Sequence, residues 1–458
     1  MELDNILRDF NKREEEAGCY LCKVDGICVY GMIRFTLRNI YLQSKGYNFV
    51  EKYKTVKLGN IIWSFLVSTF QFAKLWFSGN SYPNMFYAFL RLDEVNGSYM
   101  DKFTDPIIDC CKLCDDFIIF DRGRRGEHLQ PRLHKEKVIY TNLIDNLSEF
   151  KARLFYKSFV RNHKEEINRL ISAMDIVMDG VPYNKYSLSK RLINNIYYVR
   201  FYDKLFKKIG VKKIFAPSRA NIVKLTYAAR MSGITVYEIQ HGITYGETAL
   251  YTGNRGIDFT PDFFLTFGDV EPKSVYGISE DKMINIGWAF QDFLNNNLPL
   301  STVSTKDVLV ISGPCLTDKI LNATFRLANS FPETHFVVRP HPAEVITVAN
   351  RQAVNKIHNV SFQDPKINIA VAMTPFSNVI GENSTVLYEA VAAGKKVARF
   401  CYDGFTPRYL TSDDEQCFWK VFDDTSFKSF IDGNVSEKKS MSIYSHFNKQ
   451  LFLSIYNA

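Results

Sequence analysis

From Asp116 onward the chain alternates short apolar runs with longer amphipathic stretches. The runs Asp116–Phe120, Lys137–Tyr140, Lys213–Ala216, Ile234–Ile239, Asp262–Phe267 and Met283–Ile286 are short and rich in Ile, Val and Phe, as buried strands are. Between them, residues 148–164 and 220–231 carry the three-to-four-residue spacing of amphipathic helices. A polar, Pro-broken run, Asn295–Thr305, interrupts the series as a linker does. A second series follows, with strands expected at Asp307–Ile311, Thr334–Arg339, Asn378–Ile380 and Lys396–Phe400 and helices over 316–330 and 384–393. Strand–helix alternation of this kind predicts parallel sheets with helices on both faces. The expectation is an α/β protein with two Rossmann-type domains facing across a cleft. The expected boundaries are 1–294 for the first domain, 295–305 for the linker and 306–440 for the second domain, with a helix over 441–458 returning to the first. Residues 1 to about 100 are aromatic and read mostly as helices.

Length and composition agree with this division. The chain has 458 residues, 46% hydrophobic and 23% charged, which is enough for two well-filled cores. A net charge of +8 suits anionic ligands, but no Arg/Lys-dense tract points to nucleic acid. The opening Met1-Glu-Leu-Asp-Asn-Ile-Leu-Arg has no basic segment leading into an apolar core, so a cytoplasmic location is expected. Nine cysteines include Cys19, Cys22, Cys110, Cys111 and Cys114, whose two-residue spacings invite a zinc reading. No pair of histidines completes such a set, and no metal is expected. The longest apolar run, Ile61–Phe77, contains Gln71 and Lys74 and falls short of the roughly 20 residues a span requires. A buried helix is expected there. The alternative is peripheral contact with the inner membrane surface, supported by Trp63, Trp76, Lys52, Lys54, Lys57 and Arg91.

Three clusters carry candidate chemistry. Tyr237-Glu-Ile-Gln-His-Gly242 ends a strand in a His, which at the mouth of a parallel sheet can take a proton near neutral pH. His241 and Glu238 are therefore the candidate catalytic residues. Arg339-Pro-His-Pro342 ends another strand in a rigid loop, where Arg339 and His341 are candidates for phosphate or nucleotide. Gly381-Glu-Asn-Ser-Thr385 opens a helix whose first turn offers N–H groups to an anion, with Ser384 and Thr385 at its start. Glu389, one turn further, is placed to accept from a ribose, and Gly313 follows the strand that opens the second series. Plain N-capping by Ser384 competes for the same N–H groups. No Asp-x-Asp suited to a divalent ion lies near these strand ends. Gln240, Arg122 and Arg124 are the candidates on the acceptor side.

Taken together, these motifs over roughly residues 210–405 resemble bacterial GT-B glycosyltransferases of capsule and O-antigen synthesis. They are also similar to CDP-glycerol glycerophosphotransferases and to sialyl- and Kdo-transferases that use CMP-sugars. The resemblance implies a GT-B-like fold, a catalytic role for His241, nucleotide binding by His341 with Arg339, and phosphate binding by Ser384 with Thr385. The chain departs from the glycerophosphotransferases at Gln240 and at Glu382-Asn383. The implied activity is transfer of a sugar from a CMP-, CDP- or UDP-linked donor to a glycan or lipid-linked acceptor, with the nucleotide sugar as substrate and no cofactor. Two alternatives stand beside it: a nucleotide-sugar 2-epimerase-like isomerase, and a non-catalytic partner of a polysaccharide synthase.

Overall fold

The computed structural model describes residues 3–47, 58–89, 92–123, 126–244, 251–253, 260–269, 276–297, 306–313, 316–341, 344–365, 367–402, 404–410, 415–434, 438 and 444–458. Two all-parallel sheets organise the chain. The first contains β1 (Asn84–Tyr87), β2 (Phe117–Asp121), β3 (Val138–Tyr140), β4 (Lys213–Pro217), β5 (Thr235–Ile239), β6 (Phe263–Thr266) and β7 (Met283–Asn285). Its seven strands run in the order β7-β6-β5-β4-β1-β2-β3. The second contains β8 (Val308–Ile311), β9 (Phe336–Arg339), β10 (Val360–Phe362), β11 (Asn378–Gly381), β12 (Lys396–Phe400) and β13 (Trp419–Val421), in the order β10-β9-β8-β11-β12-β13. Each order reverses once, between β1 and β4 and between β8 and β11. At such a reversal the loops leaving the carboxyl ends diverge and open a crevice. Both halves are therefore Rossmann-like. β2 and β8 are buried along their whole length, which explains their near-continuous apolar character.

Several elements differ from the sequence reading. β1 forms the centre of the first sheet, yet Asn84-Met-Phe-Tyr87 has no β-branched residue and lies in a region read as helical. β10 and β13, of three residues each, gave no run long enough to register. The single helix expected over 148–164 is divided into α5 (Asn142–Leu154) and α6 (Tyr156–Asn162), and a further helix, α7 (Lys164–Met178), begins where it was expected to end. The expected linker is in part helical, because α10 (Ala289–Asn297) runs into it; residues 298–305 lie outside the described residues.

The segment before β1 supplies α1 (Leu3–Glu16), α2 (Tyr30–Ser44) and α3 (Leu58–Phe77); α4 (Asp105–Cys111) lies between β1 and β2, and α12 (Val348–Asn355) and α13 (Ile369–Met373) lie before and after β10. α1, α2 and α7 pack with the long helix α8 (Lys185–Ile209) and with α9 (Arg219–Met231) in the larger core of the first half. α3 corrects an expectation: it is helical, but most of its large apolar side chains are exposed. Only Ser64, Ser68, Phe72 and Leu75 are buried on it. Its polar side chains make the attachment. Gln71 Nε2 donates to the Val138 carbonyl (2.9 Å), and Gln71 Oε1 accepts from the Tyr140 amide (2.9 Å). Ser68 Oγ donates to the Tyr140 carbonyl and accepts from the Leu143 amide. These bonds pair the open edge of β3, which would otherwise present free backbone groups.

The end of the chain returns to the first sheet. Phe452 and Tyr456, on the helix Lys449–Asn457, pack with Phe86 and Phe215. Lys213 Nζ donates to the carbonyls of Ile455 (2.8 Å) and Tyr456 (3.0 Å), and Tyr456 Oη donates to Asp116 (2.6 Å). Gly287, at φ +73°, is required here: a Cβ would stand 2.1 Å from the His446 carbonyl oxygen. At the other end, the Arg408 guanidinium holds both oxygens of Asp4 on α1, at 2.7 and 2.6 Å.

Candidate functional site

The carboxyl ends of the two sheets meet at β5 and β11. Leaving β5, Ile239 leads into Gln240, His241 and Gly242. Leaving β11, Gly381 leads through Glu382, Asn383 and Ser384 into α14 (Thr385–Ala392). The Ile243 amide donates to Thr385 Oγ1 (3.2 Å), joining the two loops. Gly242 permits the approach, since a Cβ there would already stand 3.2 Å from that oxygen. Gly381 has a parallel role inside the second sheet, where a Cβ would meet the Ile311 carbonyl oxygen of β8 at 3.1 Å.

His241 is half-buried against the rings of Phe89 and Phe103. Its Nδ1 lies 3.2 Å from Tyr251 Oη, and that hydroxyl also donates to Glu238 Oε1 (3.3 Å). A phenol has one proton to give. With it directed at Glu238, Tyr251 Oη is left to accept from His241 Nδ1.

Glu238 is fully buried. Its Oε1 accepts from the Arg219 amide (2.7 Å), and its Oε2 accepts from Arg219 Nε (2.8 Å). Arg219, buried as well, donates through Nη1 to the Tyr276 carbonyl (2.7 Å). The expectation of a solvent-reachable carboxylate base at Glu238 is corrected: this carboxylate is the counter-charge of an interior arginine. Gln240 is buried too. Its Oε1 accepts from the Phe267 amide (2.7 Å) and its Nε2 donates to the Gly242 carbonyl (3.2 Å), so it ties the exit of β5 to the exit of β6. Both polar atoms of Gln240 thus serve as a brace between the two strand exits.

On the second sheet, Arg339 also differs from expectation. Its two Nη atoms face Gln363 Oε1 (2.9 Å) and the carbonyls of Asp364, Pro365 and Ile367. The guanidinium clamps the loop after β10, which takes up the fork expected to hold phosphate. His341 sits half-buried at the β9 exit, its amide donating to Glu344 Oε2 (2.8 Å). The other oxygen of Glu344 accepts from Ser312 Oγ (2.6 Å), after β8, and from Thr317 Oγ1, at the start of α11 (Thr317–Ser330). One carboxylate thus fixes the Ser312-Gly313 turn and the His341 loop together. Ser384 caps α14, its Oγ accepting from the Val386 amide (3.2 Å).

Glu389, one turn into α14, faces the first half, where Lys102 Nζ donates to it at 3.3 Å. Burial alone would lower the Lys102 pKa; Glu389, with Asp93 and Asp101, outweighs it and holds the ammonium above the usual lysine value. Asp101, in the interior beside Lys102, is pushed up to about 7, first by burial and then by the neighbouring Asp105 carboxylate. Asp101 accepts from the Phe89 and Phe103 amides and from Thr104 Oγ1. Arg122 lies in the field of Tyr87, Tyr198 and Asp145, on the α5–α8 side of the sheet. Arg124 lies outside the described residues. Among the described residues no group of three His, Cys, Asp or Glu side chains could hold a metal ion.

The structure thus joins the His241 loop to Thr385 and Lys102 to Glu389 across the two halves, and it adds Lys102, Tyr251 and Glu344, which the sequence did not signal. Lys102 follows a hairpin in the region read as helical. Tyr251 and Glu344 sit in irregular chain with no periodicity to mark them.

No protein-family model and no curated protein sequence matches the chain. Among solved structures, a co-structure of S. aureus MnaA with UDP is 9% identical at a TM-score of 0.47, covering 82% of this chain and 95% of that one. UDP-GlcNAc 2-epimerase from Neisseria meningitidis bound to UDP-GlcNAc is 12% identical at 0.47, covering 82% and 99%. The wall teichoic acid polymerase TagF with CDPG is 8% identical at 0.41, covering 88% and 98%. The fold stands on the strand orders given above, and the ligands and activities of these proteins are their own.

Proposed function

We propose that the protein is a metal-independent GT-B-type glycosyltransferase. It would move a sugar from a nucleotide-activated donor to a glycan or lipid-linked acceptor of a bacterial surface polysaccharide such as capsule or O-antigen. The observation that supports this reading most directly is the junction of the His241 loop with the start of α14. It joins the loop that carries His241 to a helix N-terminus, at the carboxyl edges of two Rossmann-like sheets. In this reading the donor lies on the second sheet, its phosphate at the first turn of α14 and its nucleoside along the Gly313 and His341 loops, with Glu389 toward the ribose. Lys102, held against Glu389, adds a cation from the opposite bank to meet the charge that grows as the glycosidic bond breaks. The acceptor hydroxyl enters from the first sheet and gives its proton to His241 Nε2. Glu238 acts through Tyr251 to orient the ring and fix its tautomer, and is a positioning residue.

The test has two parts. A thermal-shift panel of CMP, CDP, UDP, GDP and TDP should give a rise with at least one nucleotide, because a ligand that binds only the native state raises its stability. His241→Gln should then keep that rise while transfer falls by about 10²–10⁴-fold. Full transfer in His241→Gln would overturn the assignment of the base. Conversion of a nucleotide sugar to its epimer without acceptor would replace transfer by isomerisation. No shift with any nucleotide would leave a non-catalytic assembly role.

A further inference from the structure

We propose that the outward face of α3 rests on an anionic lipid surface and inserts Trp63 and Phe70 into it. At about 100° per residue, Ile62, Trp63, Leu66, Phe70 and Phe77 fall on one side of the helix, while Ser64, Ser68, Gln71, Phe72 and Leu75 fall on the other. The second set faces the protein, held there by the Ser68 and Gln71 bonds to β3. The first set is therefore turned outward by hydrogen bonding rather than left outside by loose packing. Trp63 is 68% exposed, Phe70 72% and Phe77 84%. An apolar stripe of this length on a folded surface marks a contact with something else.

Charge selects lipid over a second copy of the chain. α3 has no acidic residue, and its only charged side chain is Lys74. Lys208 of α8 lies over the Trp76 ring at 5.8 Å. Apolar side chains with Trp and Lys at the flanks match the boundary between acyl chains and anionic headgroups. A pair of such faces would bring like charges together. No described helix is long and apolar enough to cross a membrane, so α3 would lie on the surface. α3 runs antiparallel to β3. Gln71 reaches Val138, at the start of that strand, and Ser68 reaches Tyr140, at its end. The Trp63 end therefore lies toward the carboxyl edge of the sheet, the edge that carries His241.

The experiment is co-sedimentation of the full chain with phosphatidylcholine vesicles, with and without phosphatidylglycerol, in the absence of nucleotide and acceptor. Binding is expected to phosphatidylglycerol vesicles and to weaken with added salt. Trp63→Glu/Phe70→Glu should lower the partition on the order of a hundredfold, from the loss of two apolar insertions, with an unchanged melting temperature. Binding unaffected by the double substitution would overturn the proposal. So would a wild-type chain that ignores vesicles, whether it stays monomeric or forms a dimer that the same substitutions dissociate. None of these outcomes depends on the glycosyltransferase reading.

Discussion

Glu238→Ala separates an anchor from a base. Removing this carboxylate leaves the Arg219 guanidinium, 2% exposed, without its counter-charge, and strips the Arg219 amide of its acceptor. Breaking a buried ion pair from one side costs about 3–5 kcal/mol, because the surviving charge stays desolvated. At about 2–4 °C per kcal/mol for a unit of this size, the melting temperature of the first half should fall by about 6–20 °C. Glu238→Gln keeps an acceptor for the Arg219 amide and should lose less, about 1–3 kcal/mol. The paired change Arg219→Met/Glu238→Leu removes both charges and should regain most of the loss, since an apolar pair of similar volume satisfies the same space. Calorimetric scans of the four proteins provide the comparison. If Glu238→Ala melts within a degree or two of the parent while transfer activity disappears, the carboxylate acts on substrate and the anchoring argument is wrong.

Arg339→Lys should destabilise the second half by about 2–3 kcal/mol, because an ammonium cannot span the Gln363–Ile367 loop as the planar guanidinium does; thermal scans check this. An unchanged melting temperature with lost nucleotide affinity would return Arg339 to the phosphate. Gln71→Ala removes both bonds to the β3 edge. It should cost about 1–3 kcal/mol and speed hydrogen exchange at the Tyr140 amide. Asp101 holds its proton in the folded state up to about pH 7, whereas the unfolded chain releases it near pH 4. Its stabilising contribution is therefore complete below pH 4 and is lost as pH rises through 7. The parent's melting temperature should fall over that window relative to Asp101→Asn. A difference between the two that stays flat from pH 4 to 8 would count against the raised value.

Much of the architecture was legible in the order of residues. Short apolar runs located ten of the thirteen sheet strands to within a residue or two at most ends, because a strand buried on both faces must be apolar whatever lies beside it. The motifs at strand ends were legible for a related reason: Gly, His and small hydroxyl residues following a β-branched run mark a loop at the carboxyl edge. Elements set by their neighbours did not show. β1 holds its central place through partners on both sides, with no propensity of its own to announce it. The amino-acid order also fixed the apolar stripe of α3, but only its polar bonds to the β3 edge decided which way that stripe faces. Likewise Glu238 and Arg339 carry the charge that chemistry at a cleft would use, while three-dimensional packing put each beside the groups that consume it. A side chain's type is written in the chain; what it is free to touch depends on which segments, distant in sequence, arrive next to it.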